Sequence, residues 1–148
     1  MTKLRVGFFA EDTVKSGLNS NRQPASVVAR TINDGNPSNR FPNTSEGKEA
    51  PIPARPFMDK TKELNAAKWK KLIADEIRKS RGKINAREIL EKLKGVVVGD
   101  IVEQMDNGAQ FERISALTER LRNKDGISST TPLVAHGELR SCVKGKIE

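Results

Sequence analysis

Nucleophilic catalysis needs a nucleophile, a base within reach of it and a group that orients the base. His136 is the only histidine of the 148-residue chain and Cys142 the only cysteine, and six positions separate them. They are the one thiol–imidazole pair the sequence permits, and no third partner announces itself. The plainer reading is a turn histidine and a small buried cysteine. A zinc site takes about four Cys, His or carboxylate ligands, so one of each soft type falls short. The stretch SEGKEA (45–50) contains Gly-Lys but not the earlier glycine of a phosphate loop, and no Gly-x-Gly-x-x-Gly occurs. Asp100 and Glu103 share a helix face, yet two carboxylates so placed on a helix ordinarily form a solvated face. The expectation is a protein without catalytic residues, cofactor or metal, and not an enzyme.

The net charge of +8 raises nucleic acid as a partner. Its distribution weakens that reading. Residues 1–58 carry 8 basic and 5 acidic groups, 59–108 carry 12 and 9, and 109–148 carry 7 and 5. Only 60–83 concentrates charge, with nine basic residues against three acidic. Strand stacking would want aromatics among those lysines, and Trp69 falls in an apolar stripe. A solvated basic face with a core tryptophan is the plainer account. A small basic nucleic-acid-binding or regulatory protein stays open as the alternative function. One cysteine excludes an intrachain disulfide and leans towards a reducing compartment. No apolar run approaches the ~20 residues that span a bilayer, and the N-terminus turns acidic too early for a signal peptide. A cytoplasmic protein is expected.

Elements must position whatever these residues do. In KLRVGFF, Leu4, Val6 and Phe8 share one face of a strand that Glu11 and Asp12 end. ASVVARTIND reads as a short helix with Ala25, Val28, Ala29 and Ile32 inward, Pro24 at its start and Gly35 beyond its end. Residues 33–50 read as an extended polar loop. Loops longer than about 12–15 residues are uncommon in compact domains, and Phe41 sits in this one without a local apolar partner. It is either an incidental residue of an excursion or one that reaches a partner. A first long helix starts with Asp59 as N-cap and buries Ala66, Trp69, Ile73 and Ile77; Gly82 stops it. A second runs from Asn85 to about Gly108, with Ala86, Leu90, Leu93, Val97 and Ile101 in the stripe and Ile89, Val96 and Val102 widening it. The 3.6 period on both sides of GVVVGD favours helix there over strand. The first helix is basic and the second acidic towards its end, so the two suit side-by-side packing. A third, short helix fits ISALTERLRNKDG. HGELRSC gives about one helical turn, and 143–147 a terminal strand. The fold class is α+β: one domain over 1–148, with two long helices on a small, mostly antiparallel sheet.

Between loop and first long helix stands PIPARPFMDKT (51–61). Its prolines fix φ near −65° and donate no ladder hydrogen bond, which suits a stiff edge segment.

The strip IPARPF (52–57), two helices, SALT (115–118) and TPLVAHGELRSCV (131–143), with VGFF (6–9) and VVARTINDGNP (27–37) before them, resemble in order the neck and tail-completion proteins of tailed bacteriophages. Where that family carries a hydroxyl residue ahead of the Gly-x-Leu-Arg turn, His136 stands here. The resemblance implies a structural virion protein, assembled in the host cytoplasm. Such a subunit forms a homo-oligomeric, commonly sixfold ring that completes the tail or joins it to the capsid connector. Its partners would be other neck, connector and tail-tube proteins, with DNA passing through the lumen without sequence-specific binding and no membrane. Against that background the subunit contact is expected at Phe41, Pro53, Arg55, Pro56 and Phe57. An internal staple at the helix start is the equal alternative for the strip.

Overall fold

The computed structural model describes residues 1–15, 22–38, 52–111 and 137–148, with isolated positions between 111 and 137. The elements are β1 (Leu4–Gly7), β2 (Thr13–Lys15), β3 (Arg22–Pro24), α1 (Ala25–Asp34), α2 (Phe57–Lys79), α3 (Ala86–Asp106), a 3-10 turn (Gly108–Gln110), α4 (Glu138–Ser141) and β4 (Lys144–Ile147). The class is α+β, with two long helices packed against small antiparallel sheets. The sheet is split in two. β1 pairs with β4 in the register Leu4↔Ile147 to Gly7↔Lys144, and β2 pairs with β3 from Thr13↔Pro24 to Lys15↔Arg22. The second pair was not foreseen. Its strands are three residues each, too short to show an alternation.

α2 and α3 form an antiparallel hairpin. Lys68 faces Asp100 and Glu76 faces Lys92 across it, which is the complementary charge the sequence suggested. Asn85 caps α3, its side chain accepting from the N–H groups of Arg87 and Glu88. The helix runs unbroken through GVVVGD.

The core gathers Ala29, Phe57, Leu93, Val97, Ile101, Met105 and Val143, with Leu4, Val6 and Phe8 of the first strand face packed against it. Phe8 meets Phe57 edge to face, the ring centres 5.9 Å apart, an arrangement that satisfies the ring quadrupoles. Ala25 and Ala29 of α1 are buried as the stripe required.

Some stripe positions need correction. α2 starts at Phe57, two residues before Asp59, which lies in the first turn instead of capping it. The cap comes from α1: Oδ1 of Asn33 accepts from the N–H of Met58 at 3.1 Å, and its Nδ2 donates to Asp59 at 2.9 Å. Ile77 is 42% exposed and Ala86 is exposed, because each lies near the far end of the hairpin, beyond the reach of β1, β4 and α1. Leu72, not foreseen, packs inward. Helix α1 covers ASVVARTIND and ends at Gly35 as expected, and Asn36 and Ile52 of the expected loop and strip then form an isolated antiparallel bridge. Residues 39–51 of the expected loop, most of the expected third helix and 131–136 lie outside the described residues.

Candidate interaction surface

The strip 52–57 is held by the chain's own backbone. Asn36 and Ile52 exchange two N–H···O bonds of 2.8 and 2.9 Å, and the N–H of Arg55 donates to Ile32 O at 2.8 Å. Gly35 makes the crossing possible. Its φ is +75°, and a Cβ there would stand 2.7 Å from Ala54 N and 2.8 Å from Ile52 O, nearer than real Cβ atoms come. The strip thus reaches α2 with Phe57 0% exposed and Arg55 8% exposed. Pro53 is half-buried and Pro56 exposed. The staple alternative describes where Phe57 sits: a side chain with no exposed surface offers nothing to a neighbouring subunit. Of the four expected contact residues that are described, Pro56 is the exposed one; Phe41 lies outside the described residues.

The Gly-x-Leu-Arg turn is a second internal clip. Gly137 takes a left-handed φ of 71° and opens α4. Glu138 accepts from the N–H of Lys15 at 2.9 Å and pairs with Arg22, tying α4 to the β2–β3 pair. Leu139 packs on the core. Arg140 forks onto Asp106 at the end of α3, Nε to Oδ1 at 2.7 Å and Nη2 to Oδ2 at 2.9 Å. That bidentate guanidinium holds the Asp106 carboxyl below the usual carboxylate range and raises Arg140 in turn. Cys142 follows, half-buried, its thiol pushed up by burial. A raised thiol pKa lowers the thiolate fraction and suits packing better than attack. His136 lies outside the described residues, so its pairing with Cys142 lies there too.

Asp100 corrects the reading of Asp100 and Glu103 as one solvated face. Glu103 is exposed, but Asp100 is only 8% exposed. Its Oδ2 accepts from the indole N–H of Trp69 at 2.7 Å and its Oδ1 from Lys68 Nζ at 2.5 Å. A buried carboxylate is tolerated because both oxygens have donors, one of them charged. The signal was available: 93, 97, 100, 101 and 104 share the inward face of α3. Glu76 does the same nearer the open end, held below the carboxylate range by donors from Lys92 and Lys79.

With strip, turn and inner helix faces occupied internally, the outer face of the α2–α3 hairpin is one surface left open among the described residues. On α2 this face carries Leu64, Ala67, Lys70, Lys71, Ala74 and Ile77, with Leu64 60% exposed. On α3 it carries Glu88, Gly95, Gly99 and Glu103. One cleft at the far end of the hairpin is lined by Glu76, Lys79, Ser80, Lys83, Asn85, Glu88, Ile89 and Lys92. Glu76 there is already paired by Lys79 and Lys92. Among the described residues no group of three or more His, Cys, Asp or Glu is placed to hold a metal ion, and no helix is long and apolar enough to cross a membrane. No family model, curated protein or solved structure matches the chain.

Proposed function

We propose that the protein is a structural virion component at the head–tail junction of a tailed bacteriophage, a subunit of a ring that completes the tail or joins it to the capsid connector. The observation that carries this reading is the place the resembling segments take in the fold. IPARPF leads directly into the first long helix, and the Gly-x-Leu-Arg turn directly precedes the last strand, which returns to the opening strand. Those are the places the resemblance gives them. Support also comes from a hairpin whose outer face exposes apolar and charged side chains together, as suits a subunit that completes its burial against neighbours. Interfaces that hold such assemblies bury roughly 1,200–2,000 Å² in total.

A second reading, a small basic nucleic-acid-binding protein, draws on the turn between α2 and α3. There Arg81, Lys83, Ile84 and Arg87 are all exposed, and Arg81 holds a positive φ of 46°. Electron microscopy of particles carrying a labelled copy of the chain decides between them. Density at the head–tail junction is the expected result. A particle without the chain, together with a monomer whose duplex affinity falls steeply with salt, favours the second reading.

A further inference from the structure

Two glycines lie in the middle of α3, at 95 and 99. Each costs a helix roughly 0.5–1 kcal/mol relative to alanine. Neither has a positive φ, and a Cβ at either would meet nothing within 4 Å. Nothing among the described residues of the protomer therefore requires them. With Glu88 and Glu103 they form the exposed seam of α3; Lys92 and Asp106 beside it are held within the protomer by Glu76 and Arg140. A matching seam on the outer side of α2 runs through Glu63, Ala67, Lys70, Ala74 and Ile77. The α3 seam is narrow at Gly95 and Gly99, and on α2 the small Ala67 and Ala74 flank Lys70, with the exposed Ile77 towards the end.

The charges differ in sign. The α3 side carries Glu103, exposed, and the α2 side carries Lys70 and Lys71, also exposed; none of the three has a hydrogen-bond or ion-pair partner among the described residues. Glu88 adds to the acidic side, whereas Glu91 and Asp106 are already paired with Lys94 and Arg140. An α3 seam against another α3 seam would give Glu103 no free cation on the seam, since Glu76 already holds Lys92, and like charges set together cost affinity. α2 against α3 sets opposite charges together and repeats between chains the pairing that Lys68–Asp100 and Lys92–Glu76 make within one.

We propose that the α3 seam of one copy docks on the α2 seam of the next. The stem of Lys70 lies over the shallow surface at Gly95 and Gly99, and its ammonium, with that of Lys71, faces the Glu103 side. Such a contact joins two different patches, so it is heterologous and propagates to a closed ring or an open filament, not to a two-fold dimer. The inference deepens the ring reading but rests only on self-association, not on a place in a virion.

Sedimentation of the full chain tests it. The wild-type protein is expected to form concentration-dependent species larger than a dimer. Gly99→Leu keeps the far-UV dichroism and cooperative unfolding, because the added side chain enters open space, and weakens association by at least about tenfold, the factor that corresponds to ~1.4 kcal/mol. Lys70→Glu and Glu103→Lys each weaken association alone, and an equimolar mixture of the two recovers it, since one variant's acidic α2 seam meets the other's basic α3 seam. Folded Gly99→Leu associating like wild type, or a mixture no better than either variant alone, overturns the proposed contact and leaves the ring reading standing. A chain that stays monomeric at every concentration overturns the contact as well. A virion that lacks the chain sinks the ring reading alone.

Discussion

The indole N–H of Trp69 donates to Oδ2 of Asp100 across the α2–α3 interface at 2.7 Å. Lys68 occupies the other carboxylate oxygen. Replacing Asp100 by Ala strands an indole donor and leaves Lys68 without its acceptor. A buried group so deserted costs about 1–3 kcal/mol. Urea unfolding is expected to show that loss for Asp100→Ala and a smaller one for Asp100→Asn, which keeps one acceptor. Trp69 is the only tryptophan, so its fluorescence reports both the unfolding and the wetter indole. Unchanged stability and emission would show that the clamp does not fasten the hairpin.

Phe57 has no exposed surface and sits where β1, α1, α2 and α3 converge. Truncating a buried Phe to Ala costs about 3–5 kcal/mol through lost burial and the cavity left behind. That is a large part of the 5–15 kcal/mol typical of a domain. The expected outcome for Phe57→Ala is a lower denaturation midpoint at an unchanged slope, or failure to accumulate as soluble protein. A variant as stable as wild type but unable to assemble would move Phe57 back to a subunit contact.

Glycines 35 and 95 behave oppositely under the same substitution. Gly35→Ala forces a side chain into φ +75° and against the 52–54 backbone, a destabilisation of more than about 1 kcal/mol. Gly95→Ala finds open space and removes a poor helix former, a gain of about 0.5–1 kcal/mol. In dilute protein, where the monomer dominates, melting temperature is expected to fall for the first and rise for the second, by about 2–4 °C per kcal/mol.

Acid weakens the clip at α4. Arg140 holds the Asp106 carboxyl below its unfolded value, so the folded state binds the proton less readily than the unfolded one. The stabilisation is present above the unfolded carboxylate pKa, near 3.9, and is lost as pH falls through the lower folded value. Glu11 and Glu76, held down by Lys146 and by Lys92 with Lys79, act in the same direction. Arg140→Met is expected to be less stable than wild type at pH 7, the difference closing as pH falls below the unfolded carboxylate range and through the lower folded value of Asp106. A difference independent of pH would assign Arg140 a packing role only.

Wherever one periodicity ran long enough, the fold was legible in the residues. α3 showed itself over six turns, even through GVVVGD, and Leu4, Val6 and Phe8 announced the inner face of β1. The three-residue strands β2 and β3 are too short for a period. Asn33 was invisible as the cap of α2, since its partner lies 25 residues onward and only the crossing at Gly35 brings them together. Asp100 was misread because its charge outweighed its position, although the position was inward. The expected contact strip was legible as a stiff anchor. Whether it anchored to itself or to a neighbour depended on a core that composition alone does not assemble.

Strand β4 ends the chain and is the only ladder partner that β1 has among the described residues, with Lys3 and Glu148 exchanging the last two backbone bonds. During translation the opening strand must therefore wait. At about 5–20 residues per second, roughly seven to thirty seconds separate its synthesis from that of its mate. Until residues 144–147 emerge, Leu4, Val6 and Phe8 have a helix surface to rest on but no ladder to join. Ribosome-tethered chains that stop short of residue 144 would then be digested at their N-terminus by a protease that spares the finished molecule.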